Sequence, residues 1–572
     1  MRSTWLALFG VLFFSLSCTR GDANYSSSGD VVIRLTEFPE TRSPLNYTSK
    51  EAEAILAKVY DFPEEQDDNS NAVFPRLCEL ISNRDSAEYV IFTFKINPNA
   101  KWSNGEKITT DDVLTTFKVF NLPGIDNLRL RLNYSFISGL RVQDSNEGVF
   151  ELMAKGNFLS LRPRIGLFYV LPEFLYDPEW LLRELSIKEI LEKGDALEND
   201  PRVTAYRDYL LSINFSENIK AGGSGPYKIT LWDEGRRIEL EKDNSWWGID
   251  ASETWDYLLF YPDRIIYEVI PEESIALIAL KNGTVDVVAG VSPSQFRSIE
   301  QDGQYEDQFH FLTPLSYQFG YLAFNSRDPK LNLNVRRALS HLIPYELIIE
   351  TALLGFGSRT VGPINPADSM YYNSDLGLVG YNEDSAIHYL NKEGYTFQDG
   401  QWFDGDKRKV EFDLAYPTGQ PVFETSALII QDKLKSFGIE VQLISKERSV
   451  LIQESRAHNF QLSISSFRGG PLAHNFTPLF STQAANIGGL NFSGFGDQQS
   501  DNVINRINIS REKTEKIMAM KQLQELLNAQ RTMIFLFFEQ ERILVSKKFD
   551  NVYGFSRKPG YNATKFKLVN PN

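Results

Sequence analysis

Between residues 410 and 466 the hydrophobic period switches repeatedly between that of a strand and that of a helix, and this limits the fold more than any other feature of the chain. Val410, Phe412 and Leu414 recur every second residue, as on a strand. Ala427, Ile430, Leu434 and Phe437 then recur at helical spacing, and Gly438 ends that helix. Ile439, Val441 and Leu443 form the next strand, a helix lies around 448–457, and Phe460, Leu462 and Ile464 form a third strand. Strands separated by helices pair in parallel, since a parallel partner requires a crossover. The predicted class is therefore α/β.

The same logic recurs upstream. Ile265–Val269 reads as a strand, Pro271 opens a helix to Lys281, Asn282-Gly283 closes it, and Val285–Val288 is again a strand. Gly222-Gly223-Ser224-Gly225-Pro226 excludes regular structure. After it, Tyr227, Ile229 and Leu231 turn through Asp233-Glu234-Gly235 to Ile238 and Leu240, a hairpin over 226–241. Residues 89–96 form a strand with Phe92, Phe94 and Ile96 on one face, stopped by Asn97-Pro98-Asn99. Thr110 is predicted to cap a helix whose first turn carries Asp111-Asp112 and whose apolar face carries Val113, Phe117 and Phe120. Near the end, Ser510 is predicted to cap a helix burying Ile517, Met520, Leu523 and Leu527, and Met533–Phe538 reads as a fully buried strand. At 572 residues the chain exceeds what one core holds, so two or three lobes are expected.

Charge and chemistry exclude several function classes. Basic residues number 59 against 75 acidic, a net charge of −16, which opposes nucleic-acid binding. The histidines, His310, His341, His388, His458 and His474, have no helical zinc spacing, and Cys78 has no cysteine nearby. Gly223-Ser224-Gly225 runs into Pro226 and so is not a nucleophile elbow, and no phosphate or dinucleotide loop occurs. No metal and no cofactor are predicted. Pairs such as Asp67-Asp68 and Asp111-Asp112 read as solvated surface. A glycosidase stays open, because its two carboxylates need not be neighbours in sequence. Binding leads over turnover.

The apolar run Trp5–Leu16 after Arg2 is too short for a permanent membrane span and reads as the core of an export signal. Ser17-Cys18 then resembles a bacterial lipoprotein signal, with Ser15 where leucine is usual. On that reading residues 1–17 are removed, Cys18 is acylated, and 18–30, including Ser26-Ser27-Ser28-Gly29, tether the body to a bilayer. A plain signal peptide with an incidental cysteine is the alternative. No other stretch of the sequence is long and apolar enough to cross a membrane.

Several segments together resemble one family. Phe94 to Val113, containing Trp102-Ser103-Asn104-Gly105 and Thr109-Thr110-Asp111-Asp112-Val113, is similar to the strand, turn and helix start of the family 5 solute-binding proteins of bacterial ABC importers, the peptide, nickel and opine class. Gly223-Ser224-Gly225-Pro226-Tyr227, Asn244-Ser245-Trp246-Trp247-Gly248, Leu280 to Asp286, Phe324-Asn325 and Val335 to Leu339 resemble further family segments in the same order. The resemblance implies a two-lobed periplasmic-binding-protein type II fold with mixed sheets, an inserted domain and a ligand cleft between the lobes. Lobe I would hold 31–56, 215–312 and 535–572, the insert 57–214, and lobe II 313–534. It implies a monomeric, non-enzymatic, extracytoplasmic receptor that hands a peptide or peptide-like solute to a permease. Alternatives are a surface glycan-degrading enzyme, a helical-repeat glycan-binding lipoprotein, or a family member kept for a structural role.

By the same resemblance Tyr317, Tyr321 and Asn325 lie on a strand bordering the cleft, and Glu37 in lobe I faces it as a partner for a ligand cation. Peptide-binding members place an aspartate after a lobe II strand to hold the peptide ammonium. Here Phe467-Arg468-Gly469-Gly470 occupies that place. Arg468 is either an exposed loop residue or a fork for a ligand carboxylate.

Overall fold

A computed structural model describes residues 29–569, apart from 48, 69–71, 87–88, 214–221, 253–255, 471–474 and 487–488. The export-signal run, Cys18, most of the tether, Pro471 and His474 lie outside the described residues.

The chain builds two large mixed sheets and a smaller antiparallel one. The first has seven strands, ordered Phe309–Leu312, Ile543–Ser546, Val287–Ala289, Val31–Leu35, Arg264–Val269, Arg237–Lys242 and Tyr227–Asp233. Val31–Leu35 is central, parallel to both of its neighbours, and buried along its whole length. The predicted hairpin supplies the two strands at one edge. The second sheet has six strands, ordered Gly357–Ser358, Met533–Gln540, Leu315–Phe324, Leu462–Arg468, Glu411–Pro417 and Glu440–Lys446. Its last three are the parallel strands read from the alternating periods. Helix Pro421–Ser436 crosses between two of them, with Ala427, Ile430 and Leu434 buried. The small sheet, Cys78–Asp85, Val90–Ile96, Val149–Ala154 and Ile137–Asp144, packs with helix Thr110–Asn121 around Phe92, Phe94, Phe117 and Phe150. It is inserted between the first two strands that the chain contributes to the first sheet.

The two large sheets exchange the chain twice. Phe309–Leu312 in the first continues through Thr313-Pro314 into Leu315–Phe324 in the second, and Met533–Gln540 returns through Glu541-Arg542 to Ile543–Ser546. The partners match on both sides, Leu312 opposite Ile543 and Leu315 opposite Gln540, so the crossings run side by side. The expected return at 534/535 is thereby corrected to 541–542. The apolar run signals burial, but all of Met533–Gln540 belongs to the second sheet.

Two helix starts also shift. Thr109, not Thr110, caps Thr110–Asn121, because Asp112 stands three residues after Thr109 and closes a capping box with it. Ser510 ends helix Gln498–Ile509 rather than starting the next helix, which runs Lys513–Gln530.

Candidate functional site

The parallel strands of the second sheet end, at Pro417, Lys446 and Arg468, on the side where both crossings leave it. In open α/β sheets the crevice beyond the carboxyl ends of the strands is where ligands are bound. Antiparallel pairing puts Gln318 directly opposite Arg468, three residues into the strand that enters from the crossing.

Arg468 is exposed. Its Nε and Nη2 both donate to Gln318 Oε1, at 3.2 and 2.8 Å. Gln318 Nε2 donates to Glu539 Oε2 at 3.0 Å, and Arg542 Nη2 donates to Glu539 Oε1 at 3.0 Å. Arg542 also donates to the Val291 carbonyl, at 2.7 Å, and that residue belongs to the other side of the crossing. Polar groups therefore run without a break from the exposed guanidinium to the first sheet's side of the molecule.

The remaining candidates scatter. Tyr317 is half-buried and donates to Asp368 Oδ1 at 3.2 Å, while its backbone carbonyl accepts from Gly469. Burial raises the Asp368 carboxyl above its usual range, and the same cause raises the Tyr317 hydroxyl. Tyr321 is only 3 % exposed and stacks on Phe467 at 4.9 Å, and Phe467 in turn stacks on Phe492. Tyr321 and Phe467 belong to the packed layer between the sheet and its helices. Asn325 stands at the far end of Leu315–Phe324, roughly 30 Å from the crossing at 3.3 Å per residue. Its amide donates to the carbonyls of His458 and Phe460, so it fastens a loop there. Glu37 is exposed after the first strand, beside the Phe38–Trp232 edge-to-face pair, and no contact joins it to Arg468 or Tyr317 among the described residues. Sequence reasoning missed Gln318, Glu539 and Arg542, although the charged run Glu539 to Arg542 closing an apolar strand was a signal.

The residues that carried the family resemblance hold structure instead. Asp112 accepts from Thr109 and Trp102 on one oxygen and from the Glu173 amide on the other. Trp246 and Trp247 both point their indole N–H groups at Asp61 and at the Ser224 carbonyl, at 2.9–3.2 Å. Asp61 also pairs with Arg76, and both side chains are almost wholly buried. A side chain at Gly225 would strike the Lys58 carbonyl, 2.5 Å from where its Cβ would stand, so glycine is required there. Asp286 accepts from the Val32 amide at 2.8 Å and pairs with Lys548 at 2.7 Å. Arg336 donates to the carbonyls of Leu331 and Gln530. Among the described residues no group of histidine, cysteine and carboxylate side chains is disposed to hold a metal, and no helix is long and apolar enough to cross a membrane.

Residues 79–487 match the model of bacterial extracellular solute-binding proteins, family 5 Middle. The oligopeptide-binding protein AppA of Bacillus subtilis is 22% identical over 588 residues, covering 99% of each chain. Its solved structure, in complex with a nonapeptide, aligns with a TM-score of 0.63 at 20% identity over 95% of this chain and 99% of that one. HbpA2 from Haemophilus parasuis aligns with a TM-score of 0.73 at 17% identity, over 94% of this chain and all of that one.

Proposed function

Since this chain belongs to the bacterial extracellular solute-binding proteins of family 5, we propose that it captures a peptide or peptide-like solute between its two lobes and delivers it to an ABC permease. The family is one of solute binders rather than enzymes, so glycan hydrolysis is set aside. The mixed sheets set aside a helical-repeat glycan binder.

The observation that carries this reading is the pair of adjacent crossings at 313–314 and 541–542, a two-strand link between the two sheet-centred bodies, beside which Phe356 of the second packs on Phe296 of the first. Such a link permits hinge closure, and a ligand drives closure only by binding the closed form more tightly. Lobe I then holds 31–56, 222–312 and 543–569, the insert lies between its first two segments, and lobe II holds 315–540. The names of the relatives support a peptide-like ligand, and Arg468 is the group here for its carboxylate. Tyr317 and Glu37 remain candidate contacts on either side. Cys18 would carry the lipid that keeps a monomeric receptor at the outer face of a membrane.

The test is native mass spectrometry of the protein purified from its own host, followed by thermal-shift screening of peptides, oligosaccharides and metal complexes. A peptide that raises the melting point by mass action is the expected result. A protein that carries no guest and responds to no peptide would remove the reading. Labelling with palmitate, lost on Cys18→Ala, tests the anchor separately.

A further inference from the structure

We infer that Gln318 is the residue that makes Arg468 selective for a carboxylate, by holding the guanidinium in place without neutralising it. The inference rests on the proposed ligand role of Arg468 and adds how that role is set. A guanidinium only donates, and an ionised carboxylate only accepts. Gln318 stands between one of each, so its amide has a single satisfactory orientation: nitrogen toward Glu539, oxygen toward Arg468. Glu539 is itself fixed by Arg542, whose other donors are committed to the Val291 and Gln540 carbonyls. The orientation of Gln318 is therefore imposed from the crossing.

The consequence for Arg468 is specific. Of its five N–H groups, two are used on a neutral oxygen, so the full positive charge and the remaining edge of the fork stay available. No carboxylate pairs with it among the described residues. Had position 318 carried an acid, the same two donors would have closed an ion pair and neutralised the charge that attracts an incoming anion.

The experiment uses the full-length chain and a library of N-acetylated tripeptides, each made as the free acid and as the C-terminal amide, with affinities read by calorimetry. Wild type should prefer acids by about tenfold or more, as expected for a charge-assisted pair. Gln318→Glu should reduce that preference to less than about twofold while amides bind as before. The exchanged variant, Gln318→Glu with Glu539→Gln, keeps the composition, the net charge and a Gln–Glu hydrogen bond but turns the carboxylate toward Arg468. It should also lose the preference, and it answers for any folding defect of the single change. A wild type without acid preference, or an Arg468→Ala protein that keeps it, overturns the ligand role of Arg468 and this inference with it. Loss in Arg468→Ala combined with full preference in the exchanged variant overturns the role of Gln318 alone.

Discussion

Arg76 and Arg468 carry the same guanidinium into opposite surroundings. Arg76 is 4% exposed and faces two acids, Asp61 and Glu65, with the rings of Trp246 and Phe260 within 6 Å of its charge. Arg468 is exposed and faces a neutral amide. A buried cation is strongly destabilising unless acids pair with it, so Arg76 is committed to joining the insert's entry to the glycine-rich turn and the paired tryptophans. An exposed cation costs little to leave half satisfied, and Arg468 so keeps donors for a guest. Charge alone does not separate a structural arginine from a binding one; the sign of its partner and its access to water do.

The contrast is open to measurement. Arg76→Ala should cost about 3–5 kcal/mol of stability in urea denaturation, because it strands the buried Asp61 carboxylate. A cost below about 1 kcal/mol would mean that water reaches the cluster. Arg468→Ala should leave stability within about 0.5 kcal/mol. It should weaken binding of an acid ligand by about 1.5–3 kcal/mol, roughly 10- to 150-fold, in calorimetry.

Protonation gives a finer distinction. Burial pushes the Asp61 carboxyl up from 3.8 to about 6, even with Arg76 alongside. A raised carboxyl means that the folded state holds the proton more tightly, so its contribution is fully present below about 3.8 and is lost as pH rises through about 6. Wild type should thus lose stability relative to Asp61→Asn between about pH 4 and about pH 6.5. A parallel pH dependence for the two proteins would deny the shift. The smallest effect should come from salt. Raising sodium chloride from about 0.05 to about 0.5 M should weaken acid-ligand binding at Arg468 a few-fold and leave the stability cost of Arg76→Ala unchanged, because screening reaches exposed charges and not buried ones.

Period and turn chemistry made much of the architecture legible. The three parallel strands, the hairpin and the buried run Met533–Phe538 all follow from local spacing, because burial on one face or two writes itself directly into the sequence. What failed was decided by a neighbour. Thr109 and Thr110 are equally good caps until Asp112 chooses between them. Helix Gln498–Ile509 buries Val503, Ile504 and Ile507 among polar residues, too narrow a stripe to stand out, so Ser510 reads as the start of the next helix although it ends this one. The apolar run at 533–538 says that the strand is inside, not in which sheet. The site was least legible of all. Arg468 meets Gln318, 150 residues earlier, and Gln318 meets Glu539, 221 residues later, and no local pattern announces such partners.

The position of Ile543–Ser546 bears on biogenesis. This strand is interior, lying between Phe309–Leu312 and Val287–Ala289, in a sheet that the chain begins at Val31. A polypeptide emerging from its amino end must therefore hold its earliest layer unfinished until nearly the whole chain has been delivered. Truncation after Gln530 would remove an inner member from both large sheets at once, and neither half of the molecule would mature alone.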